Sequence, residues 1–355
     1  MTGSSMSHRE RVLAALNHQE TDRIPIDFGG AMATTIYYTA YERLRAHLSV
    51  DREPAIAVKR SRTVVPDEEI LQRFDIDTRF LGIGGYEGGH YREIDEDSFV
   101  DEWGTTWEKR DTHPYMSVEG PFYDRPAEIA DLEGHDWPDP ENEGYYRGLA
   151  ERAGALRENT DCAIVLGLPS GVIHQGQWVR GWAQWLMDLY KNPDYAARLM
   201  DIVADYWIGV AGNVLDILGD NVDVVYLGDD LASQQATLFS PEVYRKLIKP
   251  RHARMIGAVK ERGVKVMFHT CGAASALFGD LIELGVDAVN PVQVNARDMD
   301  PARLKHDFGD RLAFWGGVDT QKILPFGTPA EVRAEVRRMI DVMTPGGGYI
   351  LGSVH

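Results

Sequence analysis

Short strand-like runs recur along this chain with helical patterns between the later ones, and that alternation restricts the fold more than any other feature. A β-then-α repeat is the pattern of a parallel sheet with crossover helices. The runs are residues 24–29, 78–83, 162–168, 222–227, 265–269, 288–292, 312–318 and 349–352. Eight such units in 355 residues predict an α/β fold, one (β/α)8 TIM barrel forming a single domain over residues 1–355. An open doubly wound sheet is the rival. No GxGxxG opens a βα turn, which counts against it.

Helix signals flank the runs. Ser7-His8-Arg9-Glu10 is a capping box, with Val12, Leu13 and Leu16 as the apolar stripe behind it. Thr328-Pro329-Ala330-Glu331 is a second, followed by Val332, Val336, Ile340 and Met343. Ser240-Pro241-Glu242 is an N-cap with proline at the first helical position. Residues 98–110 read as an inserted β-hairpin near the barrel mouth, with Gly104 at its turn and Trp103 and Trp107 alongside. The acidic, proline-bearing stretch 126–144 reads as a surface connection. Residues 1–6 are expected to be a disordered end or a cloning remnant. The chain stops at the end of the eighth run, where a barrel usually adds a helix, so a longer native chain is expected.

Composition removes some partners. A net charge of −18 argues against a nucleic-acid backbone. No stretch approaches the roughly 20 uninterrupted apolar residues of a membrane span, and the N-terminus has no apolar signal region. Two cysteines, Cys162 and Cys271, make no disulfide framework and predict a reducing, cytoplasmic setting. The oligomeric state is open, with a homodimer the commonest assembly.

Polar residues just after a barrel strand point into the mouth, and here those positions are crowded. They are Asp27 after the first run, Tyr226, Asp229 and Asp230 after the fourth, and His269 and Cys271 after the fifth. Asn290 and Gln293 follow the sixth, Asp319 the seventh and His355 the eighth. His269 and Cys271, two apart at one strand end and followed by Gly272, offer the imidazole and thiolate that Zn²⁺ prefers. Cys162 begins its strand and should lie at the opposite end. The third ligand is His355, or an oxygen of Asp229 or Asp230. Adjacent carboxylates at 229 and 230 repel, so at least one needs a cation, a metal or hydrogen-bond donors; a turn-capping role accounts for only one of them. His174, Gln177 and Trp178 follow the Gly167-Leu168-Pro169-Ser170-Gly171 turn and either line a pocket or start a helix that packs inward. Trp178, Trp182 and Trp185 have near-helical spacing, which predicts core packing.

The segments RERVLAALNHQETDRIPIDFGG, YLGDDLASQ and FWGGVDTQKILPFGTPAEVRAEVRRMI with the closing GGGYILGSVH resemble the uroporphyrinogen decarboxylase family, and most of all its corrinoid methyltransferase-like branch. The resemblance covers nearly the whole chain. Members similar to the decarboxylase itself carry an arginine-bearing loop after the first strand, which gives an octacarboxylate substrate its cationic partners. Here Asp27-Phe28-Gly29-Gly30-Ala31-Met32 stands in that place, and a carboxylate there would repel such a substrate. The methyltransferase branch binds zinc through an H-x-C pair and a later cysteine. His269 and Cys271 match the pair; the later cysteine is replaced by Gly352-Ser353-Val354-His355, which makes His355 the expected third ligand. Asn290 stands where methionine synthase-like relatives have a glutamate.

The resemblance therefore implies a zinc-dependent methyltransferase moving a methyl group between a small methylated substrate and a corrinoid, carried by a partner protein, or a thiol. Zinc on His269, Cys271 and His355 is expected to act as Lewis acid. Asp229 or Asp230 would position substrate or handle the proton. Asp27, Tyr226, His174, Gln177, Trp178 and Asn290 are the expected substrate-binding residues, Tyr226 and Trp178 as apolar walls. A metal-free decarboxylase or related lyase, and a non-catalytic corrinoid-binding subunit, are the alternatives.

Overall fold

The computed structural model describes residues 6–109 and 114–354. His355, Met1–Ser5 and Arg110 at the end of the expected hairpin fall outside the described residues. Met6, included in the expected disordered end, is held: its N–H donates to Asp22 and its carbonyl accepts from Arg11.

Strands β1 (Ala55–Val58) and β2 (Thr63–Val65) form an antiparallel hairpin before the barrel sheet begins with β3 (Thr78–Gly82). A four-stranded antiparallel sheet follows: β4 (Arg92–Asp95), β5 (Ser98–Val100), β6 (Thr106–Lys109) and β7 (Tyr115–Glu119). The hairpin expected over 98–110 is therefore its central pair, and the insertion is larger than its turn signal suggests. Gly104 at that turn takes φ +81°, which only glycine adopts without strain.

The remaining strands are β8 (Ala163–Gly167), β9 (Val224–Gly228), β10 (Lys265–His269), β11 (Ala288–Asn290), β12 (Ala313–Trp315) and β13 (Tyr349–Ile350). Together with β3 they make a parallel seven-stranded sheet in the order β13-β12-β11-β10-β9-β8-β3. The run 24–29 builds no full ladder, yet it closes the curl. Asp27 N–H donates to the Leu351 carbonyl and Leu351 N–H to Pro25 on one side; Asp77 N–H donates to Ile26 on the other. The fold is a TIM barrel with its first strand reduced to a bridge.

Alternation along each strand sorts the core. Ala163, Val165, Val224, Tyr226 and Met267 face the barrel interior with Trp315 and Ile350. Ile164, Leu166, Val225, Leu227, Val266 and Phe268 face outward to the helices. His269 is two residues after Met267, so it shares the inward face at the strand's C-terminal end. The helix His8–Leu16, started by the capping box of Ser7 and Glu10, seats Val12, Ala15 and Leu16 in the opposite end. The helix Pro193–Leu218 is long and apolar enough to cross a membrane by length and composition. Leu199, Val203, Trp207, Val210 and Val214 are all buried in the protein core, which accounts for its apolar face.

Candidate active site

Asp230, His269 and Cys271 come together beyond the ends of β9 and β10. One ligand atom from each lies within 4.8 Å of the others. His269 Nε2 is 3.5 Å from Cys271 Sγ and 3.7 Å from Asp230 Oδ1. The backbone fixes this geometry. Cys271 N–H donates to Asp230 Oδ1 at 2.8 Å, and Asp229 N–H to the His269 carbonyl at 2.9 Å. Gly272 follows at φ +86°, with room for no side chain: a Cβ there would sit 2.4 Å from the Ser233 carbonyl.

The imidazole is oriented from behind. His269 Nδ1 lies 2.8 Å from Asn290 Oδ1, and Asn290 Nδ2 donates to the Trp315 carbonyl at 3.1 Å. Because the amide nitrogen is committed to a carbonyl, Oδ1 must accept and Nδ1 must carry the proton. Nε2 is therefore the nitrogen turned toward Cys271 and Asp230.

The two aspartates separate completely. Asp229 is buried, with Oδ2 accepting from Ile173 N–H at 2.7 Å and Oδ1 from His174 N–H at 2.8 Å. Its Oδ2 also lies 3.2 Å from His252 Nε2. It anchors the N-terminus of the helix Val172–Arg180, where free N–H groups and the helix dipole favour an anion. Asp230 turns the other way, with Oδ2 3.3 Å from His174 Nε2. Burial alone would raise the Asp230 pKa, but His174 and then His269 hold the carboxyl far below the usual carboxylate range. Burial alone would lower His174, and Asp230 more than offsets this, so the imidazolium is favoured.

Asp230, His174 and His269 form the floor of a cavity of about 670 Å³ that Tyr226, Gln177 and Trp178 also line. Its outer part lies under the inserted sheet. Trp107 of β6 meets the Trp178 ring edge-on at 5.3 Å, and Trp178 stacks on His174 at 5.4 Å.

Two expected substrate contacts lie elsewhere. Asp27 is buried off the cavity, accepting from Gly30 N–H, the Thr78 hydroxyl and Trp315 Nε1. Desolvation outweighs those bonds and raises its pKa. Asn290 stands behind His269 instead of facing the cavity. Asp229, a candidate for chemistry, is likewise sealed off as a helix anchor. Trp182, expected in the core, is 54% exposed and lines the cavity rim, whereas Trp185 is fully buried as expected.

Residues 115–355 match the uroporphyrinogen decarboxylase (URO-D) family. The chain belongs to the uroporphyrinogen decarboxylase family. Among the relatives, a methylcobamide:CoM methyltransferase MtbA from Methanosarcina acetivorans is 23% identical over 351 residues, which are 96% of this chain and 92% of the relative. A methylated-thiol–coenzyme M methyltransferase from Methanosarcina mazei is 26% identical over 240 residues, 66% of this chain; the match spans 58% of that relative's length. The solved structure of a methyltransferase from Methanosarcina mazei has a TM-score of 0.68 at 17% identity and covers 99% of this chain and 94% of its own. That likeness extends the URO-D fold over the residues before 115.

Sequence reasoning on this URO-D chain missed Arg60, Tyr115, Tyr123 and Met32, all on the cavity wall. Arg60 had a faint signal, as one of the cations in Lys59-Arg60-Ser61-Arg62 within an acidic chain. Tyr115 and Tyr123 carry none, since they come from β7 of the inserted sheet and the turn after it, and Met32 lies in the loop after the first run.

Proposed function

We propose that this chain is a zinc-dependent methyltransferase that moves a methyl group between a small methylated substrate and a corrinoid or thiol acceptor. One observation carries the reading: a carboxylate, an imidazole and a thiol converge within 4.8 Å beside a cavity at the C-terminal ends of the strands. The methyltransferase names of the relatives support the reaction class.

The donor set fits zinc. Asp230, His269 and Cys271 are an oxygen, nitrogen and sulfur ligand, three protein donors that leave a position open. The Asn290 bond frees the coordinating nitrogen of His269 in advance. Burial first, and the Asp230 carboxylate second, push the Cys271 thiol well above its ordinary value. A divalent cation in the cluster would offset that penalty and favour the thiolate. When bound, zinc supplies Lewis acidity to the heteroatom that carries the methyl group.

The chain's own residues do the rest. His174 holds a proton at Nε2 against Asp230 Oδ2, where it can be donated to a leaving heteroatom at the cavity floor. Tyr226, tilted against His269 at 5.7 Å, and Trp178 exclude water from the reacting atoms. The mouth of the barrel is the side open to a corrinoid on a partner protein.

Zinc content and methyl transfer to a corrinoid acceptor test the reading. Wild-type protein should hold one zinc, and His269→Ala and Cys271→Ser should each lose most of it together with transfer. Full zinc in both variants removes the proposal. Turnover that survives exhaustive chelation would favour a metal-free lyase instead.

A further inference from the structure

Among the described residues Arg60 is the cation on the cavity wall apart from the histidines, and no carboxylate lies within ion-pair distance of it. The Arg60 guanidinium lies over the Trp178 ring at 4.2 Å and the Trp107 ring at 4.8 Å. Its backbone is pinned, since Tyr115 N–H donates to the Arg60 carbonyl at 2.8 Å. Among the described residues it makes no ion pair with a carboxylate. Asp101, behind Trp107, accepts instead from Trp103 N–H, Thr105 N–H and Trp107 Nε1. A guanidinium held between indoles keeps its in-plane N–H donors for a third partner, and its planar fork matches a carboxylate.

A second donor is also unsatisfied. Gln177 lines the same cavity, is 3% exposed, and its buried amide nitrogen has no hydrogen-bond partner. Leaving a buried amide unpaired costs stability, so such a group on a cavity wall points to a ligand acceptor.

The two ends of the cavity differ in chemistry. Arg60 sits toward the inserted sheet, and Trp178 and His174 are stacked between it and Asp230 at the floor. A substrate anion is received at the Arg60 end, away from the donor cluster. The space between has aromatic walls, and about 670 Å³ is far more than a one-carbon methyl donor occupies.

We propose that the methyl donor is a methylated arene carboxylate: its acid group is received by Arg60, its ring lies along the Trp178 wall, and its methylated heteroatom faces Asp230, His269 and Cys271. The orientation at the floor rests on the methyltransferase reading; recognition of the acid by Arg60 does not. Arg60 is thus a specificity-determining residue, with the Gln177 amide as a second donor to the bound molecule.

Isothermal titration of the zinc-loaded full chain with 4-methoxybenzoate, the neutral 4-methoxybenzamide and the ring-less anion 3-(methylthio)propionate tests this. The benzoate should bind about tenfold more tightly than the amide, and more tightly than the ring-less acid. Arg60→Met should erase the preference for acid over amide, and Arg60→Lys should retain part of it. Equal wild-type affinity for acid and amide overturns the proposal. So does a preference that survives Arg60→Met in a protein with wild-type thermal unfolding. Should Arg60→Met not fold, an undiminished preference in Arg60→Lys overturns it equally. Tighter binding of the ring-less acid overturns the arene assignment. Since every readout is binding, a benzoate that binds as expected but is not demethylated would sink the methyltransferase reading alone.

Discussion

The carboxamide oxygen of Asn290 accepts the Nδ1 proton of His269 at 2.8 Å, in the one orientation that the bond from Asn290 Nδ2 to the Trp315 carbonyl allows. A residue that looked like a substrate contact locks a proton on Nδ1 and turns Nε2 toward the cluster.

Removing that lock should weaken metal binding without unfolding the chain. Asn290→Ala is expected to lower zinc affinity by about 10- to 100-fold, the usual cost of losing such a support. Competition with a chromophoric chelator measures it. Wild-type affinity in the variant would contradict the tautomer argument.

Asp229 and Asp230 should fail in different ways. Asp229→Ala leaves the Ile173 and His174 N–H groups unpaired in the interior and takes from His252 the partner of its Nε2. A loss of about 2–4 kcal/mol is expected in urea unfolding. Asp230→Ala should spare most of the stability and lose zinc. Identical behaviour of the two variants would show that the division of labour is wrong.

Gly272→Ala should disturb the cluster through the backbone. The added carbon would meet the Ser233 and Ala232 carbonyls at 2.4 and 2.6 Å, at a φ that L-residues avoid. About 1–3 kcal/mol of destabilisation is expected, with reduced zinc content because Cys271 is the preceding residue. A variant as stable and as zinc-rich as wild type would refute it.

At the other end of the barrel, His8 Nδ1 pairs with Asp161 at 2.6 Å and Nε2 with Asp75 at 2.9 Å. Burial alone would lower the His8 pKa, but the two hydrogen bonds outweigh it and the net shift is upward. Both carboxyls are held below their ordinary range, so they remain charged in mild acid. The folded state thus binds the proton more tightly than the unfolded chain. Its contribution is complete below about pH 6.5 and disappears as pH rises through the higher folded-state value. His8→Gln should therefore cost more stability near pH 5.5 than near pH 9; thermal unfolding across that range, if the difference stayed constant, would reject the clasp.

Much of this was legible along the chain. The capping boxes at Ser7 and Thr328 start helices where expected. The placement of His269 and Cys271 at a strand end followed from counting residues along one run. Each of these depends on neighbours within a few positions, where backbone geometry and side-chain period act directly.

The rest depends on contacts that no local pattern encodes. Asp229 and Asp230 are adjacent and chemically identical, yet one anchors a helix that begins at residue 172 and the other faces a cavity. Which does which is settled by the direction each side chain takes off β9 and by what packs there. The third donor beside His269 and Cys271 is likewise chosen by strand pairing: β9 and β10 run side by side with Gly228 opposite His269, which brings the loop after β9 against the end of β10. Arg60, in the turn between β1 and β2, reaches the cavity because Tyr115 of β7 holds its carbonyl and the four-stranded sheet sets Trp107 edge-on to Trp178, a meeting of residues far apart in sequence. Short-range periodicity specified the elements and the donor pair; burial and long-range packing assigned each polar group its partner, because a side chain's role follows from the groups it meets in space.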